Sequence, residues 1–278
     1  MEMIVLDIDG TLINDNNQIL KQTQEVITQA QQDHKKIVLA SGRPTKGILQ
    51  FSKKLKIKKD NGFIISYNGA KVTDISGKEI FLNETIEKKL SHKILTRLES
   101  FDVITFIDND EYLFVKDAYD DLAYIDDGEK KINIIKSERD DNELKLCEFK
   151  RLYDYNEDLN KILVAADRNY LKKHLKKIIE PFQHEINAEF SADYILEITK
   201  KNVHKANGLE IILSKLKIER NNVIAFGDGE NDISMLEYVG VGVAMGNANN
   251  KVKKHADIIT TDNNKSGIAE IIEKYVLS

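Results

Sequence analysis

IVLDIDGTL, at residues 4–12, joins a short apolar run to two acids and a glycine. A continuous apolar run of this length is typical of a strand that is buried on both faces of a parallel sheet. Ligands of open α/β sheets bind at the carboxyl ends of the strands, which is where Asp7 and Asp9 would lie. We therefore expect an α/β fold whose chemistry is gathered around these two carboxylates.

Two simpler interpretations of these acids have to be considered. Asp and Gly are common in turns for backbone reasons alone, so the pair could be only a solvated turn after a strand. An EF-hand calcium loop that began at Asp7 would need Glu at its twelfth position, where the chain has Gln18. The calcium loop is therefore excluded, and the choice between a turn and a site depends on the rest of the chain.

The composition is that of an ordinary globular protein. The 278 residues are a length typical of about two domains, and 41 basic and 46 acidic residues leave a net charge of −5 without a basic footprint for nucleic acid. Cys147 is the only cysteine, which excludes an internal disulfide and a cysteine-based zinc site. Because Asp7 interrupts the first apolar run, we expect neither a signal peptide nor a membrane span, and we expect a cytoplasmic location.

Polar loops follow two further strand-like runs. The apolar run at residues 36–40 ends in Ser41 and Gly42, where a hydroxyl and a backbone N–H could face an anion at the start of the next helix. A third run, at residues 62–66, is followed by a turn that places Asn68 at the same end of the sheet. Each loop by itself could also be a plain turn.

A second acid-tipped strand appears late in the chain. The apolar run at residues 222–226 is followed by GDGEND, which contains Asp228, Asn231 and Asp232. This loop is not a calcium loop either, because Ile233 stands where an EF-hand requires glycine. Two acid-tipped strands in one sheet favour a functional site over two unrelated turns.

The pattern between these halves is different. Residues 84–189 alternate helix-like and short strand-like segments, which predicts an inserted α+β domain. The catalytic core is then predicted to comprise residues 1–83 and 190–278, and to resume with a strand at residues 194–198. Lys205 follows at the head of a helix, where the helix dipole disfavours a cation unless an anion compensates it.

Together these segments resemble a known family. DIDGTL (residues 7–12), SGR (41–43), Lys205 and GDGEND (227–232) are similar, in order and spacing, to the four motifs of the haloacid dehalogenase-like phosphatases. The long insertion and the late sequence MGNA (245–248) resemble the Cof-type branch, which has a large α/β cap of the C2 type. The resemblance implies a three-layer, Rossmann-like core with a parallel sheet and an inserted α+β cap.

The resemblance also implies a mechanism that these residue types allow. Asp7 would attack phosphorus to form an aspartyl-phosphate, and Asp9 would protonate the leaving alkoxide and then deprotonate water. Asp7, Asp228 and a phosphate would repel one another without a cation, and an all-oxygen site suits Mg²⁺, which we therefore expect to be required. By resemblance, the metal is also bound by the backbone carbonyl of Asp9.

The other implied site residues surround the phosphoryl group. Those expected to bind its oxygens as charge shifts are Ser41, Gly42, Lys205 and Asn231. Asp232 would orient Lys205 or a metal-bound water, and Asn68 and Arg43 are expected to support the site.

The expected partner is a small phosphorylated metabolite, with no nucleic acid and no membrane, and the protein is expected to be a monomer or a homodimer. Family members with this cap act on sugar phosphates or on flavin and pyridoxal phosphates, and the insertion would close as a lid that sets specificity. A phosphomutase of the same superfamily and a non-catalytic phospho-ligand-binding protein are the alternatives.

Overall fold

The structure, a computed structural model, describes residues 1–82, 84–120, 124–126, 131–192 and 194–277. The chain forms two compact units. The first consists of Met1–Asn83 and His204–Ser278, and the second of Glu84–Val203.

The elements are numbered here in chain order. The strands are β1 (Met3–Leu6), β2 (Lys36–Ala40), β3 (Gly62–Ser66), β4 (Lys71–Asp74), β5 (Glu79–Leu82), β6 (Ile104–Asp108), β7 (Tyr112–Val115), β8 (Tyr124–Asp126), β9 (Lys131–Asn133), β10 (Lys145–Glu148), β11 (Lys161–Ala165), β12 (Ile186–Ala192), β13 (Ile195–Lys200), β14 (Val223–Gly227), β15 (Val241–Ala244) and β16 (Ile258–Ile259). The helices are α1 (Lys21–Gln32), α2 (Thr45–Lys54), α3 (Lys88–Leu98), α4 (Ile134–Asp141), α5 (Arg168–Ile179), α6 (Lys205–Leu216), α7 (Ile233–Tyr238), α8 (Asn250–Lys253) and α9 (Gly267–Tyr275). Within the described residues, none of these helices has the length and apolar character needed to span a membrane.

The first unit is built on one sheet, with the strand order β16-β15-β14-β1-β2-β3-β4-β5. Neighbouring strands are parallel from β16 to β3, and β4 and β5 continue the sheet as antiparallel strands. Helices α1, α2 and α9 pack on one face, and α6, α7 and α8 pack on the other. The predicted α/β architecture with a parallel sheet between two helical layers is confirmed.

Strand β1 lies inside this sheet because its side chains are apolar on both faces. Ile4 and Leu6 pack under the helices of one face, whereas Met3 and Val5 pack under those of the other. Alternate residues of a strand point to opposite faces, so a strand covered on both sides needs the unbroken apolar run found here. The neighbouring strands β2 and β14 pair with β1 in parallel, so all three end at the same edge of the sheet.

The second unit contains a separate sheet with the order β10-β7-β6-β11-β13-β12 and the hairpin β8-β9. Helices α3 and α5 pack on one face of the larger sheet, and α4 packs on the other. Apart from the parallel pair β7 and β10, the strand pairs of this sheet are antiparallel.

The structure corrects one predicted boundary. The strand predicted at residues 194–198 was assigned to the core, but β13 pairs with β11 and β12 in the sheet of the second unit. The return to the first unit therefore comes at His204 and not at residue 190. An apolar run predicts a strand but carries no information on which sheet the strand joins, and this is why the prediction was wrong.

Candidate active site

The polar loops identified in the sequence meet at one edge of the first unit's sheet. Asp7 follows β1, Ser41 follows β2, Asn68 follows β3, and Asp228 follows β14. The register aligns Leu6 with Phe226 on one side and with Leu39 on the other, so the loops begin at the same level. Parallel pairing thus brings side chains that are far apart in sequence to a single place.

Three carboxylates and one ammonium group form the centre of this place. One oxygen from each of Asp7, Asp228 and Asp232 lies within 4.8 Å of the others. Lys205 is fully buried, and its Nζ lies 2.6 Å from Asp7 Oδ1 and 2.5 Å from Asp232 Oδ1. The local charge is therefore negative when all four groups are ionised.

The pKa values of these groups reflect their burial and this excess of negative charge. Burial, followed by the charges of Asp232 and Asp228, raises the pKa of Asp7 well above its usual range, and Lys205 only partly offsets them. Burial and the charge of Asp232 likewise raise the pKa of Asp228 to about 6. Burial alone would lower the pKa of Lys205, but Asp232 and Asp7 reverse that effect and keep its ammonium charged. A further cation at this place would relieve the repulsion.

Asp232 organises the loop that carries Asp228. Its Oδ1 accepts a hydrogen bond from Lys205, and its Oδ2 accepts the backbone N–H groups of Asp228 and Gly229, both at 2.9 Å. A Cβ at Gly227 would lie 2.5 Å from the Cβ of Asp232, so the strand has to end in glycine here. Because both of its oxygens are already used, Asp232 fits a supporting role better than that of a metal ligand.

Asp228 is held by two residues to which the sequence analysis assigned no role. Thr11 donates its hydroxyl to Asp228 Oδ1 at 2.8 Å, and Asn247 Nδ2 donates to Asp228 Oδ2 at 3.2 Å and to the carbonyl of Gly10 at 2.8 Å. Gly10 has a φ of +76°, and a Cβ there would lie 2.3 Å from Asp228 Oδ2. Thr11 lies in the motif DIDGTL and Asn247 in the motif MGNA. Their positions in these motifs are the signal from which a role in the site could have been predicted.

Asp7 and Asp228 present oxygen atoms of the kind that Mg²⁺ binds. They are hard donors in a site with excess negative charge, and neither sulfur nor imidazole accompanies them within the acidic group found among the described residues. The donor set therefore fits the predicted metal, for which these two carboxylates would be the side-chain ligands.

Asp9 is not part of the group formed by Asp7, Asp228 and Asp232. Its side chain is 53% exposed and is paired with Arg43, whose Nε lies 2.7 Å from Oδ2 and whose Nη2 lies 2.7 Å from Oδ1. The structure thus places the two acids of the opening motif in different surroundings: Asp7 is buried beside Lys205, and Asp9 faces solvent beside an arginine.

The predicted phosphate-binding residues line the neighbouring loops. Ser41 is buried, and its Oγ accepts a hydrogen bond from the backbone N–H of Arg43 at 3.2 Å, with the half-buried Gly42 between them. Asn231 Nδ2 donates to Asn68 Oδ1 at 3.0 Å, and Asn68 donates its backbone N–H to the carbonyl of Ser41 at 3.0 Å. Asn68 therefore links the loop after β2 to the loop after β14.

The turn after β3 has an unusual backbone. Tyr67, Asn68 and Gly69 follow one another with positive φ angles of 52°, 54° and 105°. A Cβ at Gly69 would lie 2.2 Å from the carbonyl oxygen of His204, the residue before Lys205. Strained backbone of this kind persists where the surroundings determine it, and here it brings the turn against the start of α6.

Comparisons with known proteins agree with this architecture. A sequence model of the haloacid dehalogenase-like hydrolase family matches residues 4–272. Phosphatase YwpJ of Bacillus subtilis is 26% identical over 98% of this chain and 99% of its own length. The 5-amino-6-(5-phospho-D-ribitylamino)uracil phosphatase YitU of the same organism is 26% identical over 98% of this chain and 97% of its own length. The crystal structure of a haloacid dehalogenase-like hydrolase from Bacteroides thetaiotaomicron has a TM-score of 0.87 and 31% identity, with 98% of each chain covered.

Proposed function

The chain belongs to the haloacid dehalogenase-like hydrolases and is a phosphatase of that family, and on this premise we propose that it hydrolyses small phosphate monoesters with Mg²⁺ through an aspartyl-phosphate on Asp7. The observation that supports this most directly is the buried Asp7 carboxylate, 2.6 Å from the ammonium of Lys205 and grouped with Asp228. With Lys205 beside it and Mg²⁺ bound, this carboxylate would be a nucleophile that a phosphate dianion can approach.

The first step forms the phosphoenzyme. An oxygen of Asp7 bonds to phosphorus while the bond between phosphorus and the ester oxygen breaks, and its electron pair stays on the ester oxygen. Asp9 gives that oxygen a proton, so the leaving group departs as an alcohol. Lys205 and Asn231, with the Ser41 hydroxyl and the Gly42 N–H, stabilise the charge on the phosphoryl oxygens.

The second step restores the enzyme. Asp9, now a carboxylate, takes a proton from a water molecule as the water oxygen bonds to phosphorus. The bond between phosphorus and Asp7 breaks, and inorganic phosphate leaves. Mg²⁺ bound by Asp7 and Asp228, and by the backbone carbonyl of Asp9, would supply the positive charge that allows the dianion to approach.

Phosphate release from a panel of esters tests this proposal. The panel contains sugar phosphates, flavin mononucleotide, pyridoxal phosphate and 5-amino-6-(5-phospho-D-ribitylamino)uracil, each with Mg²⁺ or with a chelator. We expect release that depends on Mg²⁺, that is lost in Asp7→Asn, and that persists in Asp60→Asn, which makes the same change at an exposed aspartate.

The intermediate is tested by quenching the reaction in acid and mapping the phosphorylated peptide. An acyl phosphate on the peptide that contains Asp7, labile to hydroxylamine and absent from Asp7→Asn, is the expected result. Phosphate release by Asp7→Asn would overturn the role of Asp7. A phosphoenzyme that transfers its group to a second sugar hydroxyl and not to water would identify a phosphomutase, and a folded protein that only binds the esters would identify a binding protein.

A further inference from the structure

Arg43 and Asp9 form a two-point ion pair at the edge of the site. Each carboxylate oxygen of Asp9 accepts one N–H of the same guanidinium, both at 2.7 Å. This fork geometry is available to arginine and not to lysine, and it fixes the plane of the carboxylate as well as its position. Without Arg43, the Asp9 side chain could adopt several rotamers, because it is 53% exposed.

Arg43 is itself held by the fold. Its side chain is only 15% exposed, and its guanidinium carbon lies 5.6 Å from the centre of the Phe51 ring. Its backbone carbonyl accepts the N–H of Tyr67 at 3.1 Å, and its backbone N–H donates to Ser41 Oγ. The guanidinium therefore lies against Phe51 of α2, and the backbone of Arg43 is held by the strained turn after β3 and by Ser41, so the group that binds Asp9 has a defined position.

We propose that Arg43 is a positioning residue that aims Asp9 at the ester oxygen. This inference rests on the proposed function, in which Asp9 is the general acid. It makes the contribution of Arg43 depend on the leaving group. An alkoxide needs a proton in order to leave, whereas a phenolate that bears electron-withdrawing groups leaves without one.

The test measures kcat/KM for alkyl phosphates and for a series of aryl phosphates of increasing leaving-group acidity. This constant reports the steps up to departure of the leaving group and excludes the later hydrolysis of the phosphoenzyme. The proteins are wild type, Arg43→Lys, Arg43→Ala, Asp9→Asn and the control Arg220→Ala, which removes an exposed arginine.

We expect both Arg43 variants to lose more activity with alkyl than with activated aryl esters. General acid–base catalysis contributes about 10²–10⁴-fold, so the excess loss should reach about tenfold or more, with the same sign as in Asp9→Asn. Added guanidinium at low concentration should restore part of the alkyl activity of Arg43→Ala and none of that of Asp9→Asn. Arg43→Lys keeps the charge and the packing, so it reports on the fork even if Arg43→Ala folds poorly.

An equal loss for all leaving groups in the Arg43 variants would overturn the inference, because it would mean that Arg43 binds the phosphate itself. Full activity with every ester in both Arg43 variants would overturn it as well. If the wild type and Asp9→Asn show the same dependence, the failure lies in the proposed role of Asp9. If the wild type hydrolyses none of these esters, the failure lies in the proposed function.

Discussion

The stability of the metal-free protein should depend on the charge of Asp228. This carboxylate lies beside Asp232 and Asp7, and burial together with the charge of Asp232 raises its pKa to about 6, against an ordinary value of 3.8. A raised pKa of an acid means that the folded state binds the proton more tightly than the unfolded state does. The folded state is therefore favoured at low pH, and this contribution is lost as the pH rises through about 6.

The size of the effect follows from the shift. A difference of about two pKa units, at about 1.4 kcal/mol each, makes the ionised Asp228 cost about 3 kcal/mol of the free energy of unfolding. The cost is absent well below the unfolded pKa, and about half of it appears between pH ~5 and pH ~8. Asp228→Asn removes the charge, but its amide would face the Asn247 donor, which costs about 1 kcal/mol at every pH.

In chelator, the difference in free energy of unfolding between Asp228→Asn and wild type should therefore shift by about 1.4 kcal/mol in favour of the variant as the pH is raised from ~5 to ~8. The assay is urea unfolding at both pH values, followed by pulsed hydrogen exchange of the peptides that contain β1 and β14, so that the first unit is measured. Asp60→Asn, at an exposed site, is the matched control. A difference between Asp228→Asn and wild type that does not change with pH would refute this reasoning, and so would an equal change in the control.

Two further predictions concern stability and the architecture of the site. Lys205→Met leaves two buried carboxylates without their cation and should lower the free energy of unfolding by about 3–5 kcal/mol. Calorimetry measures this loss against Lys53→Met, the same substitution at an exposed lysine, and equal losses in the two variants would contradict the prediction. Gly69→Ala should destabilise the protein more than Gly77→Ala, although both glycines have positive φ, because a Cβ at position 69 would lie 2.2 Å from the carbonyl oxygen of His204, whereas a Cβ at position 77 would make an ordinary contact at 3.4 Å. Equal denaturation midpoints for the two variants would show that the backbone of Gly69 does not approach His204 closely.

Several features of the site were predictable because they are local. The apolar runs of β1, β2 and β14 predicted buried parallel strands, and strands of this kind end together at one edge of their sheet. The residues directly after them, including Asp7 and Asp228, could therefore be expected near one another. The structure brings those loops together.

Other features were not predictable from local pattern. Neither the spacing nor the residue types indicated that Arg43 would hold Asp9, or that Thr11 and Asn247 would hold Asp228. The strand β13 shows the same limit on a larger scale, because its apolar residues suited either sheet and its partners decided which one it joined.

The sequence by itself determined the class of fold, the edge of the sheet that carries the chemistry and the residue types available there. The apolar character of a strand and the composition of a turn are properties of a few neighbouring residues. They can therefore be recognised without the rest of the chain. Only the tertiary structure decided which carboxylates share the buried ammonium of Lys205, which lies 198 positions from Asp7. Distances of a few ångströms between such distant residues depend on the packing of whole helices and strands, and so do burial and the shifted pKa values that follow from it.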